Sequence, residues 1–131
     1  MKRKRIAGIL FSIVLLCLAG CAPLVVGGAA VTAGAGTYVY VMGELKTDYA
    51  HSFERVWDAC ERVVADMRAV DVVPVKEIGN ARIEALIDEE RVRIAIEYKA
   101  RNLTNVSVRV GTLGNRTASQ RIHDKIAANL S

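Results

Sequence analysis

Between Arg5 and Glu44 the chain carries no charged residue. Before that stretch stand Lys2, Arg3, Lys4 and Arg5, and within it an apolar run from Ile6 to Leu18 leads to Ala19-Gly20-Cys21. A basic start, an apolar stretch and small residues at a cleavage site read as a secretory signal over residues 1–20. Ile6 to Gly20 would make a helix of roughly 22 Å. That falls short of the roughly 30 Å hydrocarbon core of a bilayer, so the run suits a signal better than a spanning helix. What can fold by itself therefore starts after Thr37. About 90 residues remain, enough for one small domain with one core.

Leu18-Ala19-Gly20-Cys21 resembles the lipobox of bacterial lipoproteins. The resemblance implies that the Cys21 thiol carries a diacylglyceryl group, that the signal is cut before it, and that the new amino terminus is acylated. Cys21 is thus the expected lipid-attachment site, and the membrane the expected partner. Each buried methylene contributes about 0.8 kcal/mol, and one chain alone holds only marginally, so two or three chains make the attachment durable. Ala22 follows Cys21. In lipoprotein sorting an Asp at that position tends to retain proteins in the inner membrane. The expected location is therefore the outer membrane of a two-membrane bacterium, facing the periplasm. Residues 21–37 are rich in Gly and Ala and read as a flexible tether. Gly28, Thr32 and Gly36 also fall at the four-residue spacing of closely packed membrane helices, so an oligomerising membrane segment is the alternative.

Charge excludes one partner class. The chain has 18 Lys+Arg against 14 Asp+Glu, a formal net charge of +4. Four of the basic residues lie in the signal, and the fourteen that remain match the fourteen acids. A neutral domain offers nothing with which to neutralise phosphates along a nucleic acid. Of the three cysteines, Cys17 leaves with the signal and Cys21 is committed to lipid. Cys60 alone remains, so no disulfide within the mature chain is expected.

Tyr38 to Thr47 reads as a first strand with Gly43 as a bulge. Ser52 is the expected N-cap of the strongest helix, Phe53 to Ala69. Its stripe is Phe53, Val56, Trp57, Cys60, Val63, Val64 and Met67, at steps of three and four. Cys60 lies within the stripe and reads as a small buried hydrophobe. Val70 to Ile78 reads as a strand at a sheet edge, because Pro74 lacks a ladder donor. After a turn at Gly79-Asn80, Ala81, Ile83, Ala85 and Ile87 alternate with polar residues. Val92, Ile94, Ile96 and Tyr98 follow a charged turn at Asp88-Glu89-Glu90. Val106, Val108 and Val110 follow a turn over Arg101 to Asn105. Three such strands predict an antiparallel meander with one solvated face. Thr117-Ala-Ser-Gln120 has capping-box spacing, and Ile122, Ile126 and Leu130 mark a narrow apolar face on a last helix. The expected fold is α+β and two-layered, ordered β-α-β-β-β-β-α over residues 38–131. An antiparallel sheet carries both helices on one face, with Trp57 at their interface.

No chemical motif stands out. His51 abuts a helix start. His123 and Asp124 are neighbours in sequence and point to different helix faces, so they form no dyad. No spaced His, Cys and carboxylate set suggests a metal, and no cofactor is expected. Ser52, Ser107 and Ser119 read as a cap, a strand position and a helix start, without a nucleophile elbow. Asn102, Asn105 and Asn115 open chance glycosylation sequons. Arg91, Arg93, Arg101 and Arg109 can converge on the open sheet face and grip an anion. Glu84 and Glu97 share that face, so ordinary cross-strand pairing is the competing account.

Several strings carry a wider resemblance: Gly20-Cys21-Ala-Pro-Leu-Val-Val, Gly43-Glu-Leu-Lys, Ser52-Phe-Glu-Arg-Val-Trp-Asp-Ala59, Val108-Arg-Val-Gly-Thr112 and Asp124-Lys-Ile-Ala-Ala-Asn-Leu130. Together they resemble the bacterial lipoprotein family catalogued as domain of unknown function 3568. The resemblance implies an envelope lipoprotein with no assigned activity, and it carries over no functional residue except Cys21. The function expected is non-enzymatic: a structural or protein-binding envelope protein. A lipid- or small-ligand-binding module using the helix/sheet interface is the alternative, and a hydrolase the weakest reading.

Overall fold

The strand expected over Tyr38–Thr47 is a hairpin. Strand β1 (Val39–Val41) turns at Met42-Gly43 and pairs with β2 (Glu44–Tyr49). Both turn residues have positive φ, +51° at Met42 and +83° at Gly43. That is the two-residue turn whose twist matches paired strands. Gly43 is therefore a turn residue and not a bulge. The computed structural model describes Gly8 and residues 37–131. The expected signal apart from Gly8, Cys21 and nearly all of the expected tether lie outside the described residues.

After β2, helix α1 (Phe53–Asp66) leads to β3 (Val70–Glu77), β4 (Asn80–Ile87), β5 (Glu90–Ala100), β6 (Leu103–Val110) and helix α2 (Arg116–Leu130). The six strands form one antiparallel sheet in the order β1-β2-β6-β5-β4-β3. The expected α+β order holds, with one extra edge strand. The meander β4-β5-β6 forms its middle, turned at Asp88-Glu89 with φ of +51° and +66°.

Ser52 caps α1, its Oγ accepting from the Arg55 amide at 3.4 Å. The helix stops at Asp66, earlier than expected, because Arg68 takes φ +54° and the Ala69 amide reaches back to Val64 O at 3.1 Å. That left-handed residue followed by a long return bond is a Schellman-type stop. At α2 the expected Thr117 box gives way to Asn115, whose Oδ1 accepts from the Ala118 amide at 3.1 Å. The buried face of α2 is also wider than expected, since Ser119, His123 and Ala127 join Ile122, Ile126 and Leu130.

Both helices bury their stripes on one side of the sheet, against Ile83, Val92, Ile94, Ile96, Val106 and Val108. Cys60 is fully buried and Trp57 is 7% exposed. Lys76 of β3 sits 5.5 Å above the Trp57 ring and donates to Glu54 Oε2 at 2.6 Å, fastening the edge strand to α1. Such a cation over an indole adds about 0.5–1 kcal/mol at an exposed site. Pro74 lies on edge strand β3 as expected, opposite Ile83. A proline joins a ladder only where its nitrogen points away from the neighbouring strand.

Candidate functional site

The expected lipid site, Cys21, lies outside the described residues. Among the described residues, two groups of titratable side chains are candidates, one sealed and one open.

The sealed one is His123. It is fully buried. Its Nε2 lies 2.7 Å from Leu45 O and its Nδ1 2.8 Å from the Tyr49 hydroxyl. A carbonyl only accepts, so Nε2 bears the proton and Nδ1 accepts from Tyr49. The Tyr49 hydroxyl also lies 3.1 Å from His123 O, and the Tyr38 ring stands edge-on to the imidazole at 5.4 Å. Burial holds the His123 pKa below the ordinary histidine value, against the upward pull of the Leu45 bond and of Asp124. Burial likewise raises the Tyr49 hydroxyl, which stays protonated. Asp124 faces elsewhere and accepts from Gln120 at 3.0 Å, so it is no dyad partner. Ser119, one turn before His123, is fully buried and its Oγ has no partner among the described residues. The hydrogen bonds of His123 pin α2 to β2.

Cys60 is equally closed off. Burial pushes its thiol upward, so it stays protonated and unreactive. His51 is half-buried. Its pKa is lowered by burial and by Arg55, and its carbonyl accepts from Thr104 at 2.9 Å. Of the sequon asparagines, Asn115 is the α2 cap and Asn105 spends its amide on Asp48 Oδ1 at 2.8 Å. No group of three or more His, Cys, Asp or Glu among the described residues could hold a metal ion.

The open site is a cleft of about 550 Å³ on the uncovered face, lined by Glu84, Arg91, Arg93, Arg109, Gly111 and Thr112. Three of the four expected arginines meet there. Arg101 does not, because β5 runs on to Ala100 and leaves Arg101 in the turn at the far end of the strands. Arg93 and Arg109 stand directly opposite each other on β5 and β6. Like charges so placed repel. Arg93 is balanced from two strands away, by Glu44 Oε1 at 3.2 Å. Arg109 has no carboxylate partner among the described residues and donates to Met42 O and Thr112 O. Arg91 is exposed and forms no ion pair among the described residues. Glu84 and Glu97 pair along their own strands, with Arg82 at 3.3 Å and Lys99 at 3.6 Å, and not across strands as expected.

A second cleft opens at the mouth of the helix/sheet interface, lined by Met67, Ile87, Val92, Arg121 and Ile122 among others. It measures about 210 Å³. Ligand pockets usually hold about 300–1,000 Å³. Trp57 lines neither cleft. At the helix/sheet interface Trp57 packs into one buried cluster with Val56, Cys60, Ile94 and Ile122.

No helix among the described residues is long and apolar enough to cross a membrane. No match was found among curated proteins. The model of one family, described as "Protein of unknown function (DUF3568)", matches residues 4–129, nearly the whole chain. A match of that extent shows the family, and the chain belongs to the DUF3568 family.

Proposed function

We propose that this chain is a lipid-anchored protein of the bacterial envelope, held through Cys21, that works by binding and not by catalysis. Its working surface is the uncovered face of the sheet, and its partner is another envelope protein. The observation that carries this reading is the contrast between one sheet face packed under the helices and an open face with apolar margins. Val39 and Val41 are exposed on one edge strand, and Val70, Val73 and Val75 on the other. Exposed apolar residues in a row mark contact surfaces. The sealed Ser119 and His123 offer no catalytic access, which supports a non-enzymatic role. Ala22 after Cys21 supports an outer-membrane address facing the periplasm.

Photo-crosslinkers placed at Val73 and Val75 in intact cells test the surface. A discrete protein adduct from these positions is expected. Adducts from Glu61 and Arg62 on the outer side of α1, with none from β3, would sink the assignment. Fractionation of the wild type beside Ala22→Asp tests the address, with a shift to the inner membrane expected only for the variant.

A further inference from the structure

Met42 and Leu113 are 89% and 90% exposed. Neither position asks for an apolar side chain. Met42 holds φ +51° at a turn position where Asn is the residue of choice. The two tips are nevertheless locked together. A Cβ on Gly43 would lie 2.8 Å from Leu113 O, and one on Gly114 would run into the Gly43 backbone. Arg109 ties the same pair of loops, donating to Met42 O and Thr112 O. The arginine cleft lies directly beside them, sharing Arg109 and Thr112. The result is a rigid corner with two apolar tips and three guanidiniums.

We propose that this corner docks on a phospholipid bilayer, with Met42 and Leu113 entering the headgroup layer and Arg91, Arg93 and Arg109 taking lipid phosphates. The proposal rests on the reading of Cys21 as the anchor. Guanidinium forks match phosphate oxygens, and exposed apolar tips between them match the layer beneath. Residues 22–36 separate Cys21 from the described domain and span up to about 50 Å when extended. A domain of this size has a radius of gyration near 13 Å, so every corner of it can reach the surface that holds Cys21. Tethering at that range gives a weak contact an effective concentration around millimolar. Glu44, Glu84 and Glu90 stand near the arginines. The attraction is therefore short-ranged and confined to the corner.

The test uses the full lipid-modified protein in vesicles of phosphatidylethanolamine and phosphatidylglycerol. A bimane label is placed on Met42→Cys, on Leu113→Cys, or on Ile78→Cys, the last being fully exposed at another turn. Cys60 is buried and stays unlabelled. Lipids bearing a quencher at headgroup depth should remove most of the fluorescence at positions 42 and 113 and little at 78. Arg91→Glu in the Leu113→Cys protein should restore most of it. Labels at 42 and 113 that are not quenched, or a label at 78 quenched as strongly, overturn the proposal. Shielding seen in intact cells but with no pure lipid assigns the corner to a protein, and shielding that grows with protein concentration in detergent assigns it to a second copy. Both outcomes overturn it. Intact mass on the same sample reads the anchor separately. A modified Cys21 with neither label quenched removes the docking and leaves the anchor, whereas an unmodified Cys21 removes both.

Discussion

Along β5, Val92, Ile94 and Ile96 lie buried beneath the helices, while Arg91, Arg93 and Glu97 between them belong to the other face. The two faces of the same sheet differ in what fixes their residues. On the covered face each side chain is held by volume, because a close-packed interior registers the loss of single methylenes. On the open face the ion pairs are solvated and weak. Stability therefore resides on one side, and the other is free to carry binding chemistry at little cost to the fold.

Five measurements would break or sharpen that contrast. Trp57→Ala should cost roughly 3–5 kcal/mol in urea denaturation, a large part of a small domain's stability. Gly114→Ala should cost roughly 1–3 kcal/mol, because its φ is +84° and its Cβ would strike Gly43. With Gly43, it marks a place near the open face where the backbone itself is constrained.

Tyr49→Phe should cost about 1–2 kcal/mol by leaving His123 Nδ1 without its donor. The same network predicts a pH dependence. His123 has its folded pKa below the unfolded value of about 6.5, so below that pH the unfolded state binds the extra proton first. Stability should be flat above pH 7, fall as pH drops below about 6.5, and level off below the folded pKa. His123→Gln should remove most of that slope in melts taken between pH 7.5 and 5, leaving the part due to His51, which is also held below the ordinary value. An unchanged slope would show that another group drives it.

Arg93→Gln should cost no more than about 1 kcal/mol, since its partner Glu44 and it are both partly solvated. If Arg93→Gln destabilised as much as Trp57→Ala, the division of labour between the faces would be wrong.

Much of the covered face was legible in the sequence. The steps of three and four from Phe53 to Val64 gave α1, the alternation from Ala81 to Val110 gave the meander, and Pro74 placed β3 at an edge. The misses share a physical cause: competing local signals, or partners far away in the chain. The β1–β2 turn hid because Met42 stands where Asn would have announced it. Asn115 and Thr117 both had cap chemistry, and only packing chose between them. The burial of His123 carried no local signal, because its partners Tyr49 and Leu45 lie more than seventy positions earlier. On the open face, strand alternation predicted Arg93 beside Arg109. The departure of Arg101 followed from the length of β5, which periodicity does not set.

Pro74 has a consequence for how copies of this protein behave when crowded. Its nitrogen points out of the sheet edge and carries no hydrogen, so the outer rim of β3 lacks its middle rung. An incoming strand would find no donor there, and end-to-end growth of sheets from neighbour to neighbour stalls at that residue. A protein that contacts Val73 and Val75 must therefore lie flat across them and cannot zip on as a seventh strand.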